Sequence, residues 1–310
     1  MEYELFLRKI KEAVQELCGD GESVIITKVM RNNSLCHDAI VLKKDGAAIT
    51  PAVYLDGYYE KYLRGTDIGT ITDEILLINS MKPFIKEFPA EKLYDFDLVR
   101  DRIIYRLVNT GRNEILLETV PYREYFDMSI IYYIGMESGD ENAFAAVPVR
   151  NGHMRLWGID EEALYELASE NTVRIFPTVI RKMSDLLDEI YYGNSYDAAA
   201  VKEDAAEDYG FEAKLYVASN GRTFFGASCM LDGNALYDFA KQNGDFYIIP
   251  SSIHEIILVP EETQTDGQKL LELVRDISEA NGDFGNFLSD SLYKYDADNR
   301  SVIKINNINL

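Results

Sequence analysis

Histidine, cysteine and tryptophan are scarce in this chain of 310 residues, which holds three, three and one of them. The cysteines, Cys18, Cys36 and Cys229, are an odd and scattered set with no C-x-x-C spacing, so neither a disulfide framework nor a zinc site is expected. That usage fits a reducing, cytoplasmic setting. The glycine patterns of P-loop and dinucleotide-binding folds are also missing, and no metal and no cofactor is expected.

Long apolar runs are absent too. None approaches the roughly 18 residues that a membrane-spanning helix needs, and the start, Met1-Glu-Tyr-Glu-Leu-Phe-Leu-Arg-Lys-Ile10, lacks the basic-then-apolar order of a signal peptide. Positive charge is in short supply. Lys plus Arg is 31 against 53 Asp plus Glu, a net charge of −22, and no basic run exceeds Lys43-Lys44. Tight binding to phosphate backbones or anionic membranes depends on clustered Lys and Arg that release counterions. Nucleic acid and membrane are therefore not expected as partners; a partner, if there is one, is another protein. No feature specifies an oligomeric state.

What is present is the composition of a folded soluble protein, 47% hydrophobic and 27% charged, long enough for two or three modules. Tyr3, Phe6, Leu7, Ile10, Val14 and Leu17 recur at helical spacing and predict an amphipathic helix, with Cys18 near its apolar face, stopped at Gly19-Asp20-Gly21. Val24–Val29 and Ala39–Leu42 read as strands, with Lys44-Asp45-Gly46 as a turn. Cys36 and His37 are adjacent, so in an extended segment they point to opposite faces and make no metal pair. Pro51 is an accepted helix start, and the helix it opens carries Tyr54, Tyr58 and Tyr62 four residues apart. Such a stripe either docks a partner or packs on the core with its hydroxyls at the surface.

Val99, Ile103, Ile104 and Leu107 predict another helix, and Ser129–Met136 and Ala143–Val149 two strands. His153 beside Asn151-Gly152 reads as a surface residue. Thr178–Tyr192 has helical spacing. Lys214–Ala218 and Phe224–Met230 read as strands and Asn234–Gln242 as a helix. An amphipathic helix follows through Leu270, Leu273, Val274 and Ile277, then a final strand pair, Ser291–Tyr295 and Ser301–Ile305. Asp296-x-Asp298 resembles the start of a calcium loop, but Arg300 and Ser301 stand where a ligand and the glycine belong, so a turn is expected.

The fold class this gives is α+β: two or three modules of short antiparallel sheets packed with amphipathic helices. Residues 1–90 form the first module, 91–192 the second and 213–310 the third, with 193–212 as an acidic linker rich in Ala, Asp and Glu. Ala163-Leu-Tyr-Glu-Leu-Ala168-x-x-Asn171 matches Ala235-Leu-Tyr-Asp-Phe-Ala240-x-x-Asn243. Each match follows two strand-like runs and precedes an apolar pair and a proline, which suggests a strand–strand–helix–strand repeat over 129–177 and 213–250.

The densest group of potentially reactive side chains lies between two apolar runs, Phe246–Ile249 and Ile256–Val259. There Ser251, Ser252, His254 and Glu255 could supply a nucleophile, a base and an orienting carboxylate, which would make a hydrolase. Against this, Glu255 alternates away from His254 in an extended chain, and no G-x-S-x-G elbow supports a serine. Ser252-Ile-His-Glu255 also reads as an S-x-x-E capping box in a tight structural turn.

Asp245-Phe-Tyr-Ile-Ile-Pro-Ser-Ser-Ile-His-Glu-Ile-Ile-Leu-Val-Pro260 resembles the signature segment of an uncharacterised family of Firmicutes proteins, domain of unknown function 5688. Ala52-Val-Tyr-Leu-Asp-Gly-Tyr-Tyr59, Tyr105-Arg-Leu-Val-Asn109, Trp157-Gly-Ile159 and Gly226-Ala-Ser-Cys-Met-Leu231 share the resemblance, which covers most of the chain. It implies a cytosolic bacterial protein and assigns no reaction. An interaction or regulatory role is the expectation, with the hydrolase built on Ser252, His254 and Glu255 as the alternative.

Overall fold

The structure is a computed structural model that describes residues 2–19, 21–44, 52–80, 90–137, 144–186, 215–261, 270, 272, 274–276 and 285–305. The described residues form an α+β protein of three antiparallel sheets with helices packed on them. Among them no helix is long and apolar enough to cross a membrane. The turn at residues 45–50, the prolines at 83 and 89 and the acidic stretch 193–212 lie outside the described residues.

In helix α1 (Tyr3–Leu17), Phe6, Leu7, Ile10 and Val14 are buried at the spacing that predicted it. They pack with strands β1 (Glu22–Met30), β2 (Cys36–Lys44) and β3 (Ala52–Tyr54) and helix α3 (Ile68–Ser80) around Ile40, Val53, Leu55, Ile71 and Ile75. The helix expected from residue 51 begins only at Asp56, as α2 (Asp56–Leu63). Val53 pairs with Ile40 and is buried, so Ala52–Tyr54 extends the sheet and carries Tyr54 out of the helical stripe.

The second sheet is centred on β6 (Met128–Glu137), with β4 (Ile103–Asn109) on one side and β5 (Tyr122–Tyr125) and β7 (Phe144–Pro148) on the other. The helical spacing read over Val99–Leu107 resolves into a one-turn helix α4 (Phe96–Val99) followed by β4. Ile103 to Val108 are all buried, and a run buried on both faces carries no period by which to recognise it. Short helices α5 (Glu114–Leu117) and α6 (Asn151–Trp157) precede the long α7 (Glu161–Ile175).

The third sheet contains β8 (Thr178–Lys182), β9 (Tyr216–Asn220), β10 (Phe246–Ser252), β11 (Glu255–Pro260), β12 (Leu292–Asp296) and β13 (Ser301–Ile305). Its order is β13-β12-β10-β11-β9-β8. Thr178–Lys182, expected to open a helix, is its outer strand, and it pairs with β9 on the far side of the 193–212 stretch. Helix α8 (Gly233–Asn243) links β9 to β10. Asp296 accepts the Asn299 N–H at 2.9 Å, which makes the expected turn before β13. Ile103, Tyr105 and Leu107 of β4, Ile130, Tyr132 and Ile134 of β6, Leu164, Leu236, and Ile248, Ile256, Leu258 and Tyr293 of the third sheet lie in one continuous core.

The two matching helices share their local chemistry. Asp160 and Asp232 cap them by accepting the Ala163 and Ala235 N–H groups, and Leu164, Ala168, Leu236 and Ala240 are buried at corresponding places. Their flanking strands differ. β6 and β7 pair with each other ahead of α6 and α7, whereas Gly226–Leu231 before α8 is a 3-10 turn. β8 leaves the sheet of β6, while β10 stays in the sheet of β9 with β11 between them.

The first unit meets the others through asparagines. Asn33 donates its N–H to Asn113 Oδ1 at 2.9 Å and its amide to the Phe287 carbonyl at 2.9 Å. Asn113 donates back to Asn33 Oδ1 at 3.0 Å and to the Asn109 carbonyl at 2.8 Å. Asn32 reaches the Gly285 carbonyl and Asn109 the Leu288 carbonyl. All three parts of the fold converge there. Asn33 stands at φ 60°, a conformation asparagine tolerates better than most residues.

Candidate functional site

β10 and β11 form a hairpin in which Ser252 pairs with Glu255. Pro250 stays inside the strand opposite Ile256, and β12 pairs with β10 only over Phe246–Ile248, so its missing N–H interrupts no second ladder. The turn's polar groups bond mainly to backbone. Ser252 Oγ accepts the His254 N–H at 3.0 Å, and Ser251 Oγ donates to the Glu255 carbonyl at 3.1 Å. His254 Nδ1 lies 2.9 Å from the Thr223 carbonyl and therefore carries the proton it donates. Glu255 begins β11 rather than a helix, so the S-x-x-E string caps nothing; its serine instead closes a turn two residues long. Ser251 Oγ also lies 3.4 Å from Glu255 Oε1, the nearest approach to a serine–carboxylate pair in the group.

The loop that receives His254 is built on Asn220, whose Oδ1 accepts the Arg222 and Phe224 N–H groups and whose amide donates to the Phe224 carbonyl. This winding puts Thr223 at φ 51° and Phe225 at φ 54°, left-handed positions that a β-branched and a bulky residue rarely hold. It is why Phe224–Met230 cannot run on as the expected strand. Gly226 then passes close beneath the hairpin: a Cβ there would lie 2.1 Å from Ser219 Oγ and 2.2 Å from the His254 carbonyl. Ser219 Oγ donates to that carbonyl at 2.8 Å.

Phe225 carries the loop inward. Its ring stacks on the His254 ring at 6.5 Å and tilts against Tyr133 at 5.5 Å. Arg106 Cζ lies 4.5 Å from the Phe225 centroid and 4.6 Å from that of Tyr133, so one guanidinium caps both rings. Arg106 is 8% exposed and sits among Ile104, Val108 and Ile131 on the sheet face away from the shared core. Burial opposes its charge, and Arg31 nearby adds to the opposition. Burial also pushes the Tyr133 hydroxyl up, against the pull of Arg106 and Arg150. Nothing in the residue types or spacing singled out Arg106 beforehand. The available signal was one charge within Ile103-Ile104-Tyr105-Arg106-Leu107-Val108.

The tyrosine stripe divides. Tyr58 and Tyr62 are half-buried against the first core, with Tyr62 5.6 Å from Phe6, and Lys61 Nζ lies over Tyr58. Tyr54 is exposed, with Arg31 over its ring at 4.8 Å and His37 edge-on at 5.8 Å. His37 pairs with Asp56 at 2.9 Å while Cys36 stays exposed. His153 sits in α6, accepting the Arg150 N–H and stacked on Trp157.

A small cavity opens beside Tyr105, Thr178, Cys229 and Asp232, with about 10 Å³ of space, room for about one water molecule and no substrate. Thr178 donates to Asp232 there at 2.8 Å, and burial holds the Cys229 thiol protonated.

The family of unknown function DUF5688 matches residues 3–297, and the chain belongs to that family. No curated protein matches it. No solved structure does either.

Proposed function

We propose that this member of an uncharacterised family works by binding, in an interaction or regulatory role, and not by catalysis at residues 251–255. One observation carries the reading: the imidazole proton of His254 goes to the Thr223 carbonyl and the Ser252 hydroxyl accepts a backbone N–H, so both groups serve the hairpin. A general base would also hold a nucleophile at its other ring nitrogen, and among the described residues no side chain bonds to His254 Nε2. A cytoplasmic location belongs to the reading, and the three free thiols accord with it. The partner is a protein or a small ligand and not a polyanion, given the charge of −22.

The turn's role is tested by melting Ser252→Ala and His254→Ala beside wild type. Each loses a bond at a buried or half-buried site, so each is expected to lose about 1–2 kcal/mol of stability. Neither is expected to change the hydrolysis of a generic ester such as p-nitrophenyl acetate. Wild-type melting in both variants together with lost hydrolysis would put the hydrolase of Ser252, His254 and Glu255 first.

The charge is tested by an anisotropy titration with labelled duplex DNA and single-stranded RNA at near-physiological salt. No binding tighter than about micromolar is expected. Tighter, salt-sensitive binding would overturn the exclusion of nucleic acid.

A further inference from the structure

We propose that Arg106 anchors a binding site for an oxyanion, a phosphate or carboxylate group carried by a small ligand. Two rings cover the face of its guanidinium, which leaves the N–H donors along its edge to be satisfied. Among the described residues no carboxylate pairs with it, and its Nε is sealed from water with no acceptor. The Tyr133 hydroxyl accepts one of its N–H bonds, but burial keeps that hydroxyl neutral and it cannot balance the charge. A guanidinium in such a place is normally paired, because an isolated buried charge is costly and its planar fork fits two oxygens of one anion.

The neighbourhood points the same way. Arg31 and Arg150 both act electrostatically on the Arg106–Tyr133 pair. Neither is in an ion pair among the described residues; Arg31 lies over Tyr54, and Arg150 donates to Thr119. In a chain with 53 acidic residues against 31 basic ones, three neighbouring arginines form no ion pair with an acid among the described residues. A site 8% exposed suits a single group on a small ligand and is closed to a rigid polyanion. Phe225, which covers the guanidinium, stands on strained backbone and lies nearly parallel to the His254 ring at 6.5 Å, so occupation at Arg106 bears on the histidine through one ring.

The inference rests on the binding reading above and deepens it; its failure would leave the melting comparison of the turn untouched. The test is the imidazole NMR spectrum of the full chain, which has three histidines. His37→Gln and His153→Gln identify the His254 signal by elimination. Sodium phosphate, sodium acetate and sodium chloride are then titrated separately at fixed pH and constant ionic strength. The expected result is a saturable shift of the His254 signal with phosphate or acetate and none with chloride. A response to phosphate alone assigns a phosphate group, and one to acetate alone a carboxylate. The apparent affinity should fall at least tenfold in Arg106→Lys, which keeps the charge and loses the fork, and the shift should vanish in Arg106→Met. No saturable shift in wild type, or an equal one in Arg106→Lys, would overturn the proposal, whether or not Arg106→Met folds.

Discussion

Gly226→Ala is expected to lower stability by about 2–3 kcal/mol, a fall in melting temperature of roughly 4–12 °C. The added methyl would stand 2.1 Å from Ser219 Oγ and 2.2 Å from the His254 carbonyl, and backbone on that side cannot swing away as a side-chain tip can. Relief requires the hairpin turn to lift off the loop, which breaks the bond from Ser219 Oγ to the His254 carbonyl and the one from the Ala227 N–H to the Ile253 carbonyl. Gly57→Ala is the control. It lies in helix α2, and a Cβ there would meet nothing within 4 Å, so the change should be neutral or stabilise by up to about 1 kcal/mol. Thermal melts of both variants beside wild type decide it. Equal melting of Gly226→Ala and wild type would mean that loop and hairpin do not meet as described.

Asn113→Ala should cost about 2–4 kcal/mol and divide the unfolding transition. Asn113 is 0% exposed and accepts the buried Asn33 N–H, which would be left without that partner. The first unit has an apolar core of its own, from Phe6 to Ile75, and this polar contact joins it to both later sheets. Trp157 fluorescence reports the middle of the fold, while far-UV circular dichroism reports the whole chain. The two should coincide in wild type and separate in the variant, the first unit coming loose earlier. Coincident transitions at the wild-type midpoint would show that the asparagine junction carries no coupling.

The elements legible in the sequence were those with one wet face or with turn residues marking an end. Helix α1, strand β6 and the β12–β13 pair all show a period or a clear turn signal, and their positions agree with the structure. β4 was hidden because Ile103 to Val108 are all buried, and β8 because five residues with mixed exposure fit a helix as well as a strand. Phe224–Met230 is apolar enough for a strand; the left-handed Thr223 and Phe225 that prevent it arise from Asn220, a turn chemistry invisible to hydropathy. The Ser251–Glu255 group was visible by residue type. Its bonds were not, since the Thr223 carbonyl and Ser219 come from segments distant in sequence. Arg106 and Asn113 depend wholly on what the fold brings beside them.

The shared core also fixes an order in time. A chain made from its N-terminus completes residues 3–76 early, and these alone supply the core of the first unit, which can close while synthesis continues. The inner faces of β4 and β6 come next, with Tyr105, Leu107, Ile130 and Tyr132 on the side that Ile248, Ile256, Leu258, Tyr293 and Tyr295 later cover. More than a hundred residues must leave the ribosome before that cover exists. Through that interval α7, with Leu164 and Ala168, covers part of that apolar face, and the remainder stays wet until the strands of the third sheet are made.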